Sequence, residues 1–504
     1  MERLIYQCTN GVPIGYEGPR CFRLHDNWPS SVKHYDAVQS SINKDVRLGV
    51  KVGPFDQPPF INFVGSPMGA YQKRHSSKYR VIHDLSWPPG GSINDFINVD
   101  NYHVTYLSLD DVVSQIEILG PSCLLAKLDL EDAFKHIPVR PEDWELLGST
   151  WYIYDQSTNS YDLKYFYDRV LQFGCRSSPK LFNDFADGAQ YVMQYAGVSY
   201  VDHYLDDYIT AGKAGSNECA NNLQVMCDVC EDLGFSLNPS KVVPPTTVLE
   251  FLGIILDTDR MEMRISEERL ADILHELHHW ENRHKCTKRE LLSIIGKLLF
   301  VARVVRPGRT FVRRMIDLSK RIKHLHHKIR LNKEFRADVE WWLNYLPAWN
   351  GVPMLSAPSV DIHVFTDASN IAFSGFYDDH WFVATYAGSL EQYGQRSINW
   401  RELQAVVTAA ATWGASWHNK RVLFHCDNSC VVHILNSGSS KSPVMMQLVR
   451  TLFFISATHE FEFTSVYVNT HDNTVADALS RLRFDIFYKQ LPNADFTMTQ
   501  PVVV

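Results

Sequence analysis

Residues 201–210 read Val-Asp-His-Tyr-Leu-Asp-Asp-Tyr-Ile-Thr, and the adjacent acids Asp206 and Asp207 restrict the chain more than any other feature. Their flanks are rich in Val, Tyr, Leu, Ile and Thr, which predicts strand, short turn, strand, with the acids at the turn. Successive strand residues face opposite sides, so one acid can enter a site while its neighbour stays close. Adjacent carboxylates repel, and burying both is costly unless a divalent cation neutralises them. Taken alone, such a pair is a solvated turn more often than a site. A second acid in matching surroundings changes that reading.

That second acid is Asp129, at the end of the apolar run Leu124 to Leu130. Packing explains it poorly, because lone buried charges are avoided. With Asp206 and Asp207 it makes three carboxylates on two predicted strands, a set able to hold two Mg²⁺ ions for in-line phosphoryl chemistry. Upstream, Lys78 to Leu85 alternates as a strand and stops at Trp87-Pro88-Pro89-Gly90-Gly91. Lys78 and Arg80 share one face of it and can grip a triphosphate together. Between the acids, Gly174 permits close backbone approach and Pro179 suits a helix start. Glu250 to Asp257 reads as a strand entering a turn.

In this order and spacing, residues 50–257 resemble the fingers and palm of reverse transcriptases. The resemblance implies that Lys78 and Arg80 bind the incoming triphosphate and that Asp129, Asp206 and Asp207 are metal ligands. It implies that Phe134 excludes a ribose 2′-hydroxyl, and that Phe173 and Gly174 line the nucleotide and template site. Lys241 would protonate the leaving pyrophosphate, and Glu250 to Gly253 would grip the primer.

Residues 260–355 are helical by pattern, with Leu270, Ile273, Leu274 and Leu277 forming one apolar stripe after Ser266. From Arg283 to Lys333 there are sixteen Lys/Arg against two acids, Glu290 and Asp317. That imbalance suits contact with a phosphate backbone; it resembles a thumb and connection. His275-Glu276-Leu277-His278-His279 fits the zinc-protease pattern, but a solvated helix face explains it better. A zinc metalloprotease reading through His275 and His279 predicts bound Zn²⁺ and no use for the seven acids.

Beyond a linker at Gly351 to Ser359, four acids recur at predicted strand ends and helix starts: Asp367, Glu402, Asp427 and Asp477. Each alone reads as a cap or turn residue. As a set within 360–483 they resemble the four metal-binding carboxylates of ribonuclease H, implying a second two-Mg²⁺ site acting on the RNA of a hybrid. Thr470 stands where retroelement relatives usually carry Gly, and His471 reads as a loop histidine rather than a catalytic one. Asn473 to Arg481 begins the last predicted helix.

The order of the two segments is that of retroelements. Ser92 to Asp95, His203 to Asp207, Lys285 to Leu292, Val304 to Arg309 and Trp341-Trp342 are similar to the polymerase of DIRS-like, gypsy-related retrotransposons. Such elements also encode a tyrosine recombinase, which is not found here; it implies a partner on a separate chain or segment.

With 504 residues the chain has room for several domains, and the net charge of −8 disfavours a passive nucleic-acid coat. The expected fold is α/β (α+β) and multidomain: a right-hand polymerase with palm, fingers and helical thumb/connection, then a ribonuclease H-like domain. The expected boundaries are an irregular N-terminal arm (1–75), fingers and palm (76–260), thumb/connection (261–355), ribonuclease H-like domain (356–485) and C-terminal tail (486–504). Cys227 and Cys230 form one CxxC with no second pair at zinc-ribbon spacing, so reduced, packed thiols are expected. No signal peptide or membrane span is apparent; the chain reads as intracellular, cytoplasmic or nuclear. The expected activity is RNA-directed DNA polymerase with ribonuclease H, using Mg²⁺ (Mn²⁺ as substitute), an RNA template, a DNA primer, deoxynucleoside triphosphates and an RNA–DNA hybrid. The alternative is a decayed or domesticated copy that binds nucleic acid without catalysis.

Overall fold

The computed structural model describes residues 2–72, 78–347, 350–354, 360–418 and 420–504. The chain forms two compact units, Met1–Leu252 with Leu256–Met261, and Gly253–Ile255 with Glu262–Val504. Both mix helices and strands, the α/β class expected. No described helix is long and apolar enough to cross a membrane.

The first unit is organised by a four-stranded antiparallel sheet in the order Val243–Thr246, Leu124–Asp129, Asp207–Gly212, Val201–Tyr204. Leu125, Leu128, Tyr208 and Ile209 are buried in it. Helix Ser178–Tyr195, begun by Pro179, contributes Leu181, Phe182, Phe185 and Ala186 to the same core, and helix Glu218–Asp232 contributes Met226, Val229 and Cys230. Each Leu, Ile, Phe, Val or Met among them contributes roughly 1.5–3 kcal/mol when fully removed from water. Cys227 and Cys230 are free thiols of that second helix.

A second, five-stranded sheet runs Arg23–Leu24, Val64–Gly65, Gly148–Asp155, Ser160–Asp168, Lys51–Phe55. Its core pairs Trp151 and Phe166 with Val38 and Ile42 of helix Tyr35–Arg47. The expected irregular arm is therefore corrected: residues 2–72 hold helices Glu2–Asn10, Pro29–Lys33 and Tyr35–Arg47 and supply three of these strands. Gly53 and Pro54 lie within strand Lys51–Phe55 and Gly65 within Val64–Gly65, so these residues do not mark the segment as irregular.

The second unit begins with helices Glu267–Glu281, Lys288–Val301, Arg313–Lys320 and Lys333–Tyr345. Ser266 caps the first, and Thr287 with Glu290 forms a capping box on the second. The short antiparallel pair Lys285–Thr287 and Lys328–Arg330 was not anticipated in this helical stretch. The expected linker at 351–359 is corrected in part: Val352–Pro353 is a strand paired antiparallel with Glu262 and Met263, while 355–359 lie outside the described residues. Next comes a five-stranded sheet, His380–Thr385, Ala372–Tyr377, Ile362–Ala368, Arg421–Cys426, Glu462–Tyr467, antiparallel across its first three strands and parallel across the rest. Helices Ile398–Trp413 and Pro443–His459 close its main core. Helix Thr474–Ser480 is followed by another, Phe484–Gln490, so it is not the last. The expected tail beyond 486 is also corrected: Trp381 Nε1 donates to the Asp495 carbonyl at 2.9 Å and Thr499 N donates to the Trp381 carbonyl at 2.9 Å. Val503 packs against the main core.

Candidate functional site

In the first unit the strand register does the positioning. Asp207 pairs directly with Asp129 across the antiparallel ladder, and also with Tyr204 across the hairpin. The hairpin turn is Leu205-Asp206, with Leu205 in the left-handed region at φ 55°, and the Asp206 carbonyl accepts from Leu130 N at 3.1 Å. All three acids therefore gather at one end of one sheet. Asp129 is 3% exposed. Burial, then the charges of Asp206 and Asp129, push Asp207 up to about 6. Burial above all also raises Asp206, with Asp129 adding to it and Lys241 and Arg80 opposing.

Lys241 reaches the group through its own loop. Glu131 N donates to the Ser236 carbonyl at 2.8 Å and Asn238 N to the Asp129 carbonyl at 2.9 Å; Lys241 Nζ then lies 2.7 Å from Asp129 Oδ2. Arg80, exposed in strand Tyr79–His83, is close enough for its charge to act on Asp206; Lys78 lies exposed just before that strand. Phe134 is buried, its ring 4.6 Å from Phe173 and 5.5 Å from Phe182. Gly174 adopts φ 103°, and a Cβ there would meet the His83 carbonyl at 2.6 Å, so both the backbone conformation and the close approach require glycine. Glu250 to Asp257 is not one strand: Val248–Phe251 and Ile254–Asp257 are separated by Leu252 and Gly253, both at positive φ.

In the second unit four acids approach the sheet from different elements. Asp367 lies in the first parallel strand, Glu402 on helix Ile398–Trp413, Asp427 just after strand Arg421–Cys426, and Asp477 on helix Thr474–Ser480. Glu402, Cys426 and Asp427 have ligand atoms within 4.8 Å of one another, the set among the described residues able to share one ion. Asp367 is pushed up to about 6, by burial first, with Asp427 and Asp477 adding to it against a hydrogen bond from Ser480. Burial, then Asp367 and Asp427, lift Glu402 well above the carboxylate range. Asp129, Asp206 and Asp207, and likewise Asp367 and Asp477, lie outside that set; all are oxygen donors of the kind a hard divalent cation takes, and such a cation would relieve the crowding of negative charge. Cys426 is the exception, its thiol donating to Glu402 Oε2 at 3.9 Å.

The zinc-protease pattern gathers no such set. Glu276 is paired with Lys297, and His278 lies 3.6 Å from Glu281. Of the basic stretch, Lys285, Arg289, Arg303, Arg309, Arg321 and Lys323 are exposed, while Arg283 is held by Glu290 at 2.7 Å.

Residues 73–256 match the family model described as reverse transcriptase (RNA-dependent DNA polymerase). The chain carries a reverse transcriptase domain. It is similar to Polyprotein P3 of Commelina yellow mottle virus, 19% identical over 405 residues, covering 77% of this chain and 20% of that protein. It is also similar to the Gag-Pro-Pol polyprotein of Mason-Pfizer monkey virus, 25% identical over 235 residues, covering 45% and 12%. The chain thus spans a fifth or less of the curated relatives it matches. Among solved structures it resembles a foamy viral protease-reverse transcriptase bound to double-stranded DNA, with TM-score 0.54, 15% identity, and 90% of this chain and 73% of that one covered. The same viral enzyme bound to an RNA/DNA hybrid gives TM-score 0.52 at 14% identity, covering 92% and 56%. At these identities the likeness is one of fold.

Within the reverse transcriptase domain, sequence reasoning assigned no role to Asn94, which is 5% exposed. Its side chain donates to the Gly174 carbonyl and accepts from Arg176 N, both at 2.8 Å, fixing the loop that carries Phe173. In the second unit it overlooked Ser480, which donates to Asp367, and Arg481, 2.6 Å from Asp477. The four-residue spacing of Asp477 and Arg481 on a helix was a legible signal; the Asn94 contact, eighty residues away in sequence, was not.

Proposed function

We propose that this chain is an RNA-directed DNA polymerase whose second unit is a ribonuclease H, from a DIRS-like, gypsy-related retrotransposon. The observation that carries the reading is the direct register pair of Asp207 with Asp129, with Asp206 in the adjoining turn. Two Mg²⁺ ions, or Mn²⁺, supply Lewis-acid charge when bound, stabilising the attacking and leaving oxygens of an in-line displacement. Asp129, Asp206 and Asp207 would hold them in the first unit. Lys78 and Arg80 bind the deoxynucleoside triphosphate, Phe134 limits room at the sugar, and Lys241 gives its proton toward the departing pyrophosphate. Base pairing between RNA template and DNA primer selects the nucleotide, so the protein needs shape and backbone contacts, which the exposed cations of 283–333 suit.

Asp367, Glu402, Asp427 and Asp477 would hold the second pair, and the substrate there is the RNA strand of the hybrid. A recombinase of the same element is a further partner. The chain works inside the cell, in cytoplasm or nucleus. Support comes from the family match over 73–256 and from the polyprotein relatives.

The test is primer extension on an RNA template with Mg²⁺, comparing the protein with Asp206→Asn and scoring hybrid cleavage in the same tube. Extension lost by about 10²-fold or more, with cleavage retained, supports two separate centres. A folded protein that binds hybrid but neither extends nor cuts it is instead the binding-only copy.

A further inference from the structure

Each acid of the second site is held by a neighbour. Asp367 accepts from Ser480, Glu402 Oε1 accepts from Ala368 N at 3.2 Å, and Asp477 pairs with Arg481 at 2.6 Å. Asp427 accepts from Thr470 Oγ1 at 2.8 Å, a donor from the loop between strand Glu462–Tyr467 and helix Thr474–Ser480. That loop is built to hold Thr470 in place. Before it, Tyr467 pairs with Cys426 and Val468 N donates to the Cys426 carbonyl at 3.1 Å, tying the loop's root to the strand that delivers Asp427. Within it, the Asn469 side chain accepts from His471 N at 3.0 Å, and the Asn469 carbonyl accepts from Asp472 N at 2.8 Å and Asn473 N at 3.1 Å, bonds that span Thr470. Thr470 is thereby pinned on both sides.

We propose that Thr470 is a positioning residue: its hydroxyl fixes the Asp427 carboxylate and so sets the affinity of the second site for its divalent cation. This rests on the nuclease reading of the four acids. A carboxylate can only accept, so the hydroxyl must donate; the bond orients Asp427 through Oδ2 without using up the carboxylate's other lone-pair sites. Thr470 is exposed, so its hydrogen bond adds little to folding. Its removal acts on the orientation of Asp427. Groups that orient a metal ligand from behind typically change metal affinity or activity by about 10- to 100-fold when removed.

The experiment compares full-length protein with Thr470→Ala and Thr470→Ser. Mn²⁺ binding is followed by electron paramagnetic resonance, the Mg²⁺ midpoint of hybrid cleavage is measured, and primer extension serves as an internal control. In Thr470→Ala, the expected result is one class of Mn²⁺ site weakened about tenfold and the cleavage midpoint moved to higher Mg²⁺ by a similar factor. Thr470→Ser restores both, and extension is unchanged throughout. Equal Mn²⁺ affinity in Thr470→Ala and the parent protein overturns the proposal, as does a Ser variant as weak as the Ala variant. If the parent protein binds Mn²⁺ and extends primers but never cuts hybrid, the nuclease reading fails instead, and the Ala/Ser contrast in Mn²⁺ affinity still decides the role of Thr470.

Discussion

The ammonium of Lys241 lies 2.7 Å from Oδ2 of Asp129, the residue that pairs directly with Asp207. One positive side chain, itself 57% exposed, thus reaches a group of three acids. Burial pulls Lys241 down, but the hydrogen bond and charge of Asp129, with Asp207 and Asp206, outweigh it and hold the ammonium above its ordinary value. Engaging Asp129 with a cation weakens that attraction and makes the proton easier to release.

Lys241→Ala should therefore slow single-nucleotide addition by about 10²-fold, the usual scale of a lost general acid, while Lys241→Arg keeps the charge but not a transferable proton. The check is a single-turnover rate against pH: the alkaline fall should disappear in Lys241→Ala. A parallel, merely lowered profile would assign Lys241 to charge balance alone.

Phe134 is wedged against Phe173 and Phe182, so its ring has little freedom to yield to a larger sugar. Phe134→Val should raise ribonucleotide incorporation by about 10- to 100-fold relative to deoxynucleotide, the range expected when a hydrophobic contact is trimmed. Competition between the two nucleotides on one primer measures it. An unchanged ratio would remove Phe134 from sugar discrimination.

Asp207 and Asp367 both sit at about 6 through burial and neighbouring acids. Because these folded values lie above the unfolded ones, each acid favours the folded state fully at low pH, and that contribution is lost as pH rises from about 4 through about 6. Cation binding displaces those protons, so it should strengthen over the same interval. Thermal unfolding with and without Mg²⁺ should show a stabilisation near pH 7.5 that shrinks toward pH 5. A shift independent of pH would place the bound cation away from these acids.

Arg450 is a buried guanidinium paired with Asp338, donating to the Thr310 carbonyl at 3.1 Å and lying 4.4 Å over the Phe311 ring. Burial pushes Asp338 up to about 7, against the pull of Arg450 and Arg314. Arg450→Met strands that acid and should cost about 3–5 kcal/mol, read as denaturant stability. The loss should be larger at pH 8 than at pH 6, because Asp338 can then stay neutral only at the lower pH. Little change at either pH would mean that Arg450 contributes through its packing alone.

The acids at strand ends were legible because strands announce themselves locally: apolar runs and period-two alternation placed Asp129, Asp206, Asp207, Asp367 and Asp427 without reference to distant residues. The Ser266 cap and the stripe over Leu270 to Leu277 were legible for the same reason, since a helix repeats within a few residues. The arm before 75 was not, because its strands are short pieces whose partners lie far along the chain, as Lys51 opposite Asp168 shows.

By itself the sequence determined which residues are candidates for the chemistry, their order and most of the elements that bear them, since those follow from local propensity and spacing. Only the tertiary structure decided which side chains meet. Lys241 reaches Asp129, Ser480 reaches Asp367, Thr470 reaches Asp427 and Arg450 reaches Asp338. These contacts follow from sheet order, register and loop closure, which the burial of the whole core selects and no local pattern encodes.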